Sequence, residues 1–267
     1  MTKSHVQRVL TSILLLPILG WAIFCGDPVL SVMLTLAAAI GLFEFTSMFW
    51  PGKEKLTWKI GLIFAGMTMI WAPLTWSGTA LLLLAAMGAV IFFLLIYNQN
   101  TAPNAFWDSQ VLFFGLLYLP FILRLLRYLS APEIILVLLA TFATDTGAYY
   151  TGSHCGGPKI WPSISPKKTW SGSLGGLILC TLVTLALGLL LGSAHWGAWI
   201  MLGIALNLAA QLGDFFESAL KRWRGIKDSG QVLPGHGGIL DRIDSLLFSL
   251  PMYCGLAALV SFFPQIS

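Results

Sequence analysis

Charge is what this sequence has least of. Asp, Glu, Lys and Arg make up 10% of the 267 residues, whereas 57% are hydrophobic. A soluble globular chain carries about 25% charged residues, so the composition argues against a single soluble core. Cysteine is scarce too. Cys25, Cys155, Cys180 and Cys254 are scattered without metal-ligand spacing, which argues against a disulfide framework and suits small buried thiols. No internal repeat is visible, and no linker is long enough to separate two domains. The alternation of a β-barrel strand is also missing. What remains is a series of continuous apolar runs near 20 residues, the length a helix needs to cross the hydrocarbon of a bilayer.

The expected fold class is therefore all-α: a polytopic integral membrane protein with about nine transmembrane helices. They fall roughly at 9–25, 29–49, 57–75, 78–97, 111–129, 132–152, 173–193, 196–222 and 245–263. About five belong to an N-terminal region, 1–130, and about four to a C-terminal region, 131–267, that carries the longer loops. Residues 1–25 resemble a signal peptide, with Lys3 and Arg8 ahead of an apolar run and AIFC at 22–25. In a chain with many later spans, an uncleaved first helix is the expectation. Orientation follows from Lys and Arg in the connecting loops. With the N-terminus inside, 13 of the 15 lie on the cytoplasmic side, and Arg124 and Arg127 fall towards the outside. The large inside loops are then 153–172 and 223–244.

Against this background the charges that are present are not spread evenly. The 24 residues from Lys221 to Asp244 hold eight of the 26 charged residues, of both signs, around a glycine-rich turn. Just before them, Asn207, Gln211, Asp214, Ser218 and Lys221 recur at spacings of 4, 3, 4 and 3, one polar stripe on a 3.6-period helix, with Glu217 beside it. Such a stripe can be an interhelical hydrogen-bonding seam. A carboxylate within a span, however, costs about 2.5–3.5 kcal/mol on insertion scales, so Asp214 calls for a partner or a function. Thr141, Asp145 and Tyr149 share a face of an earlier span. There a buried Asp satisfied by neighbouring Thr hydroxyls and a site residue are both open readings.

Two loops complete the pattern. Ser165-Pro166-Lys167-Lys168-Thr169 sets two ammonium groups and two hydroxyls beside a helix start, a combination that suits phosphate and equally suits a positive-inside signal. Pro234-Gly235-His236-Gly237-Gly238 can turn its backbone sharply and aim N–H groups at an anion. Asp241 and Asp244 follow at i and i+3, on one helical face, where two like charges repel unless a cation intervenes. Carboxylate oxygens of this kind suit Mg²⁺, which takes one or two carboxylates and completes its shell with water and substrate phosphates. Lys221, Arg222, Lys227 and Arg242 supply positive charge for those phosphates. His236 could donate a proton to a leaving phosphate or simply bond within the turn.

Ser218-x-x-Lys221-Arg222, Lys227-Asp228, Pro234-Gly235-His236-Gly237-Gly238 and Asp241-Arg242-Ile243-Asp244 together resemble the signature of the phosphatidate cytidylyltransferases, also called CDP-diacylglycerol synthases. Asp145-Thr146-Gly147-Ala148-Tyr149 and Ser165-Pro166-Lys167-Lys168-Thr169-Trp170 resemble two further blocks of that family. One departure is visible: Ser171 stands where the family usually has Glu. The blocks span about the C-terminal half; the first five spans match only in being hydrophobic.

The resemblance implies the reaction of CTP with phosphatidate to give CDP-diacylglycerol and pyrophosphate, in a bacterial inner membrane, at the cytoplasmic face. It implies Mg²⁺ held by Asp214, Asp241 and Asp244, with scope for a second, monovalent cation such as K⁺. It also implies a homodimer, with no nucleic acid among the partners. Asp214, Lys221, Asp241 and Asp244 are then the catalytic candidates. Asp145, Ser165, Lys167, Lys168, Thr169, Ser218, Arg222, Lys227, Asp228, His236, Gly237, Gly238 and Arg242 are candidates for substrate and phosphate. A transporter is the main rival class, but its polar residues belong near mid-membrane, in paired halves, and here they gather at one end of one half. Another lipid-phosphate enzyme, a CDP-alcohol phosphotransferase, would show a DG-x-x-AR core that is absent from this sequence. On this reading Asp241→Asn abolishes turnover while expression and membrane insertion stay near normal. Retained turnover at saturating Mg²⁺ would remove Asp241 from the metal set.

Overall fold

Apolar runs in lipid fold as helices because a helix pairs its own N–H and C=O groups. The computed structural model describes residues 16–52, 55–97, 104–232 and 237–264. Among the described residues there are nine helices: α1 (Leu16–Cys25), α2 (Val29–Phe49), α3 (Leu56–Trp71), α4 (Gly78–Ile96), α5 (Ala105–Tyr128), α6 (Ala131–Cys155), α7 (Trp170–Leu191), α8 (Trp196–Trp223) and α9 (Leu240–Ala257). No strand is formed among the described residues; an isolated antiparallel bridge joins Lys159 and Thr169.

Six helices, α2 and α4–α8, are long and apolar enough to cross a membrane. Of the other three expected spans, the first, 9–25, lies in part outside the described residues, and among the described residues none of the three meets that standard. α1 and α3 are shorter, and α9 opens on Asp241, Arg242 and Asp244. This is a polytopic membrane protein, helical throughout its regular structure among the described residues, six of whose described helices meet the length and apolarity of a span. α9 begins five residues before the expected boundary, so both aspartates lie inside the helix.

The chain divides into two compact units. One takes in α1–α5 together with Asp228–Leu240; the other takes in Leu129–Lys227 and the chain from Asp241 on. In the first, Leu42, Phe45, Leu62, Ile70 and Leu119 form a buried core. At one end, where α2 stops and α3 and α5 start, Asp108 accepts from Trp50 Nε1 and from Lys55 Nζ, each at 2.7 Å. At the opposite end lie Arg124 and Arg127, the two basic residues that the charge count left on the outside. Arg124 is buried and donates to Pro73 O at 2.7 Å, while Arg127 bridges Asp27 Oδ2 at 2.9 Å and the carbonyls that close α3. Both cations are engaged by the protein, which explains their exception to the loop-charge pattern. Within α5, Pro120 has no N–H to continue the helical ladder, and the backbone widens into a π turn at Leu117–Phe121.

In the second unit α6 and α7 pack backbone to backbone. A Cβ at Gly147 would stand 2.6 Å from Gly175 O, and one at Gly176 would stand 2.8 Å from Thr144 O. Small residues let helices approach this closely, so that dispersion contacts act where no hydrophobic drive exists. The cysteines differ from expectation: all are free, but only Cys180 is buried, while Cys25 and Cys155 are exposed at helix ends. Gly147→Ala should lower the thermal midpoint in detergent by several degrees, the overpacking penalty being about 1–3 kcal/mol. Gly61→Ala, with open space around the added carbon, should leave it unchanged.

Candidate active site

The polar stripe of α8 divides into two functions along its length. Its first part is a seam between helices. Asn207 Nδ2 donates to Thr144 Oγ1 of α6 at 3.3 Å, Gln211 Nε2 donates to Asn207 Oδ1 at 2.6 Å, and Ser173 Oγ of α7 donates to Gln211 Oε1 at 2.6 Å. Polar groups that bond across three helices are satisfied without water. Its second part is charged. Asp214 Oδ2 meets Lys168 Nζ at 2.5 Å, and Asp214 Oδ1 accepts from Ser218 Oγ at 3.3 Å. Lys168 also stands over the ring of Phe215, 4.3 Å from its centroid.

One turn further on, Lys221 sits between two carboxylates. Its Nζ lies 2.7 Å from Glu217 Oε2 and 2.6 Å from Asp241 Oδ1, and it is 9% exposed. Glu217 is fully buried, and its Oε1 has no hydrogen-bond partner among the described residues. In the sequence Glu217 stands beside the stripe. Its spacing of four from Lys221 was the available signal, because residues at i and i+4 face each other on a helix. Lys221 thus joins α8 to the first turn of α9. Gly213 lets the two come close, since a Cβ there would stand 2.5 Å from Asp244 O.

Asp145 on α6 is exposed rather than buried. The Thr141 and Thr144 hydroxyls donate to Val137 O at 2.7 Å and Ala140 O at 3.0 Å, so the reading of a buried Asp bonded by threonines is withdrawn. Asp145 lies within electrostatic reach of Asp214 and Asp244, with Lys168 and Arg242 opposing them. Asp244 in turn feels Asp214, Glu217 and Lys221, and its Oδ1 accepts from Ser245 N at 2.7 Å. Among the described residues no three His, Cys, Asp or Glu side chains form a ready-made metal cluster. The donor chemistry nevertheless fits a hard divalent cation. Like-charged carboxylates face one another, and such an ion needs only one or two of them beside water and phosphate oxygens.

The basic loop is tied to this end of the unit. Thr169 caps α7, its Oγ1 accepting from Gly172 N at 3.1 Å. Ser171, at the position where a carboxylate was expected, bonds the Gly156 carbonyl and lies 3.0 Å from Thr169 Oγ1. Ser165 N donates to Trp161 O at 2.9 Å, and Lys167 is exposed. Arg222 donates to Ile164 O at 3.3 Å and Ile226 O at 3.1 Å, so it braces the loop while its side chain stays exposed. Lys227 and Arg242 are exposed as well. Asp228, Gly237 and Gly238 belong to the first unit: Asp228 is exposed, Gly237 has a positive φ of 82°, and Gly238 is buried. His236 lies outside the described residues. Beside Asp145, a cavity of about 490 Å³ runs between α6 and α7, from Thr146, Thr151 and Ser171 along Leu174, Ile178 and Leu182.

A cluster of carboxylates and lysines thus lies at the end of apolar helices. A profile of the cytidylyltransferase family matches residues 6–260. The chain belongs to the cytidylyltransferase family. Its relatives include the phosphatidate cytidylyltransferase of Staphylococcus aureus (strain COL), 36% identical over 255 residues that cover 92% of this chain and 96% of that protein. That of Bacillus subtilis (strain 168) is 33% identical over 272 residues, covering 96% and 98%. That of Staphylococcus haemolyticus (strain JCSC1435) is 36% identical over 255 residues, covering 92% and 96%. The similarity therefore extends through the apolar N-terminal helices, which the signature did not reach. As a family member the chain is a nucleotidyltransferase.

Lys221→Met should lower stability in detergent by about 3–5 kcal/mol, because it strands two carboxylates. Adding Glu217→Gln should recover part of that loss, as seen in thermal midpoints, without recovering turnover.

Proposed function

We infer that this cytidylyltransferase uses CTP and phosphatidate, forming CDP-diacylglycerol and pyrophosphate. The observation that carries the reading is the cluster in the second unit: Asp145, Asp214, Asp241 and Asp244 interleaved with Lys168 and Lys221, at one end of apolar helices. A lipid phosphate oxygen attacks the α-phosphorus of CTP, the new P–O bond forms, and the bond to the bridging oxygen of pyrophosphate breaks. The nucleophile is already an anion, so a strong general base is not required. The obstacle is the approach of two polyanions, and positioning with charge neutralisation removes it.

Lys167 and Lys168 hold the triphosphate in this reading, and Arg222, Lys227 and Arg242 share the remaining phosphate contacts. Lys221 keeps Asp241 oriented. Mg²⁺ would be held by Asp214, Asp241 and Asp244; when bound it would neutralise phosphate charge and polarise the reacting phosphoryl group. A second, monovalent cation has the same oxygen donors available. The apolar cavity between α6 and α7 suits an acyl chain, with its hydroxyl-lined end towards the headgroup. The loop charges support a cytoplasmic N-terminus and a cytoplasmic site, with 13 of 15 Lys and Arg on that side. A homodimer follows from the signature alone and is measured by light scattering of the detergent complex.

CTP labelled on the α-phosphate should pass its label into the lipid phase when the purified protein is given phosphatidate and Mg²⁺. CTP labelled on the γ-phosphate should leave its label in water as pyrophosphate. No α-label in lipid, with folded protein, removes this function. Lys168→Met should raise KM for CTP about tenfold, the loss of one charge-assisted contact, with KM for phosphatidate little changed.

A further inference from the structure

The glycine-rich segment before α9 has backbone N–H groups suited to an anion, and the structure supplies one from the protein itself. Glu44 lies near the C-terminal end of α2 and is 3% exposed. Its Oε1 accepts from Ile239 N at 3.1 Å. Its Oε2 accepts from Leu240 N at 2.9 Å and from Ser229 Oγ at 3.2 Å. Leu240 is the first residue of α9, so a side chain almost 200 residues away in sequence caps that helix. Orphan N–H groups and the positive end of the helix dipole both favour a carboxylate there. Two glycines keep the space for it. A Cβ at Gly230 would stand 2.4 Å from Glu44 Oε1, and one at Gly238 would stand 2.5 Å from Oε2 and 2.1 Å from Ser229 Oγ.

A carboxylate near the end of an apolar span is costly unless its oxygens are satisfied, and those of Glu44 are satisfied by this one segment. The first turn of α9 carries Asp241, bonded to Lys221, and then Asp244. A helix whose first N–H groups are clamped holds its first-turn side chains in one register. Unclamped, the turn frays and both carboxylates lose their fixed positions.

We propose that Glu44 is a positioning residue for cytidylyl transfer: it clamps Ser229, Ile239 and Leu240 and so fixes the first turn of α9. This rests on the reading of Asp241 and Asp244 as site residues. Glu44→Gln keeps the size of the side chain but sets an amide N–H₂ against N–H donors. It should reduce kcat about 10- to 100-fold with smaller changes in KM for CTP and phosphatidate, since a misplaced catalytic group costs rate more than affinity. Gly230→Ala should reproduce the loss from the other side of the contact. Ser229→Ala, which removes a single hydroxyl and keeps the fold, should reduce kcat roughly threefold.

Hydrogen–deuterium exchange gives the readout that turnover does not. In Glu44→Gln, peptides covering 238–240 should exchange faster while peptides of α6–α8 do not change. Unchanged exchange at 238–240 means the clamp does not exist and overturns the proposal. Faster exchange with wild-type kcat per folded molecule makes Glu44 merely structural and overturns it too. The exchange measurement needs no substrate, so failure of the proposed reaction and failure of the clamp register separately.

Discussion

A carboxylate in an apolar helix has to find positive charge or hydrogen-bond donors within the protein, because lipid offers neither. That constraint organises this chain from end to end. Asp27 is met by Arg127 and Ser31, and Asp108 by Lys55 and Trp50. Glu133 is met by Tyr253 and by the start of its own helix. Glu44 is met by backbone N–H groups, Asp214 by Lys168, and Glu217 and Asp241 by one shared lysine. Each pairing joins segments far apart in sequence or closes a helix end, so satisfying the charges also sets which elements stay together.

Pairing is least complete in the cluster proposed as the site. Among the described residues Glu217 keeps one buried oxygen without a hydrogen-bond partner, and Asp145, Asp214 and Asp244 bear on one another as like charges. Structural economy alone does not favour such an arrangement, since each carboxylate raises the cost of the next. A cation and a polyphosphate would complete it. The same site sits at the end of helices whose packed faces are glycine-lined and whose outer faces are apolar, which suits an enzyme that joins a nucleotide to a lipid.

Much of this was legible in the residues. Runs of Leu, Ala and Ile near 20 residues announce helices, because few other structures satisfy the backbone in hydrocarbon. The stripe Asn207, Gln211, Asp214, Ser218 and Lys221 was visible as one face. Its division into a hydrogen-bonded seam and a charged end was not, since that depends on which neighbour each side chain meets. The i, i+3 spacing of Asp241 and Asp244 put both on one helical face, but the apolar run begins only at 245; that the helix itself starts at Leu240 depends on Glu44, which takes up its first N–H group. Asp145 illustrates the reverse case: Thr141 and Thr144 bond the backbone of their own helix, and its electrostatic neighbours come from other parts of the chain.

By itself the sequence determined the class of structure and the chemistry: helices in a membrane, and a signature rich in carboxylates and lysines, both local properties of composition and spacing. Only the tertiary structure decided which charges meet. Lys221 between Glu217 and Asp241, Lys168 on Asp214, and Glu44 on the first N–H groups of α9 are contacts whose partners lie from four to almost 200 residues apart. Periodicity places a residue on a face of its own helix. The partner on that face is chosen by packing, and packing is a property of the whole chain.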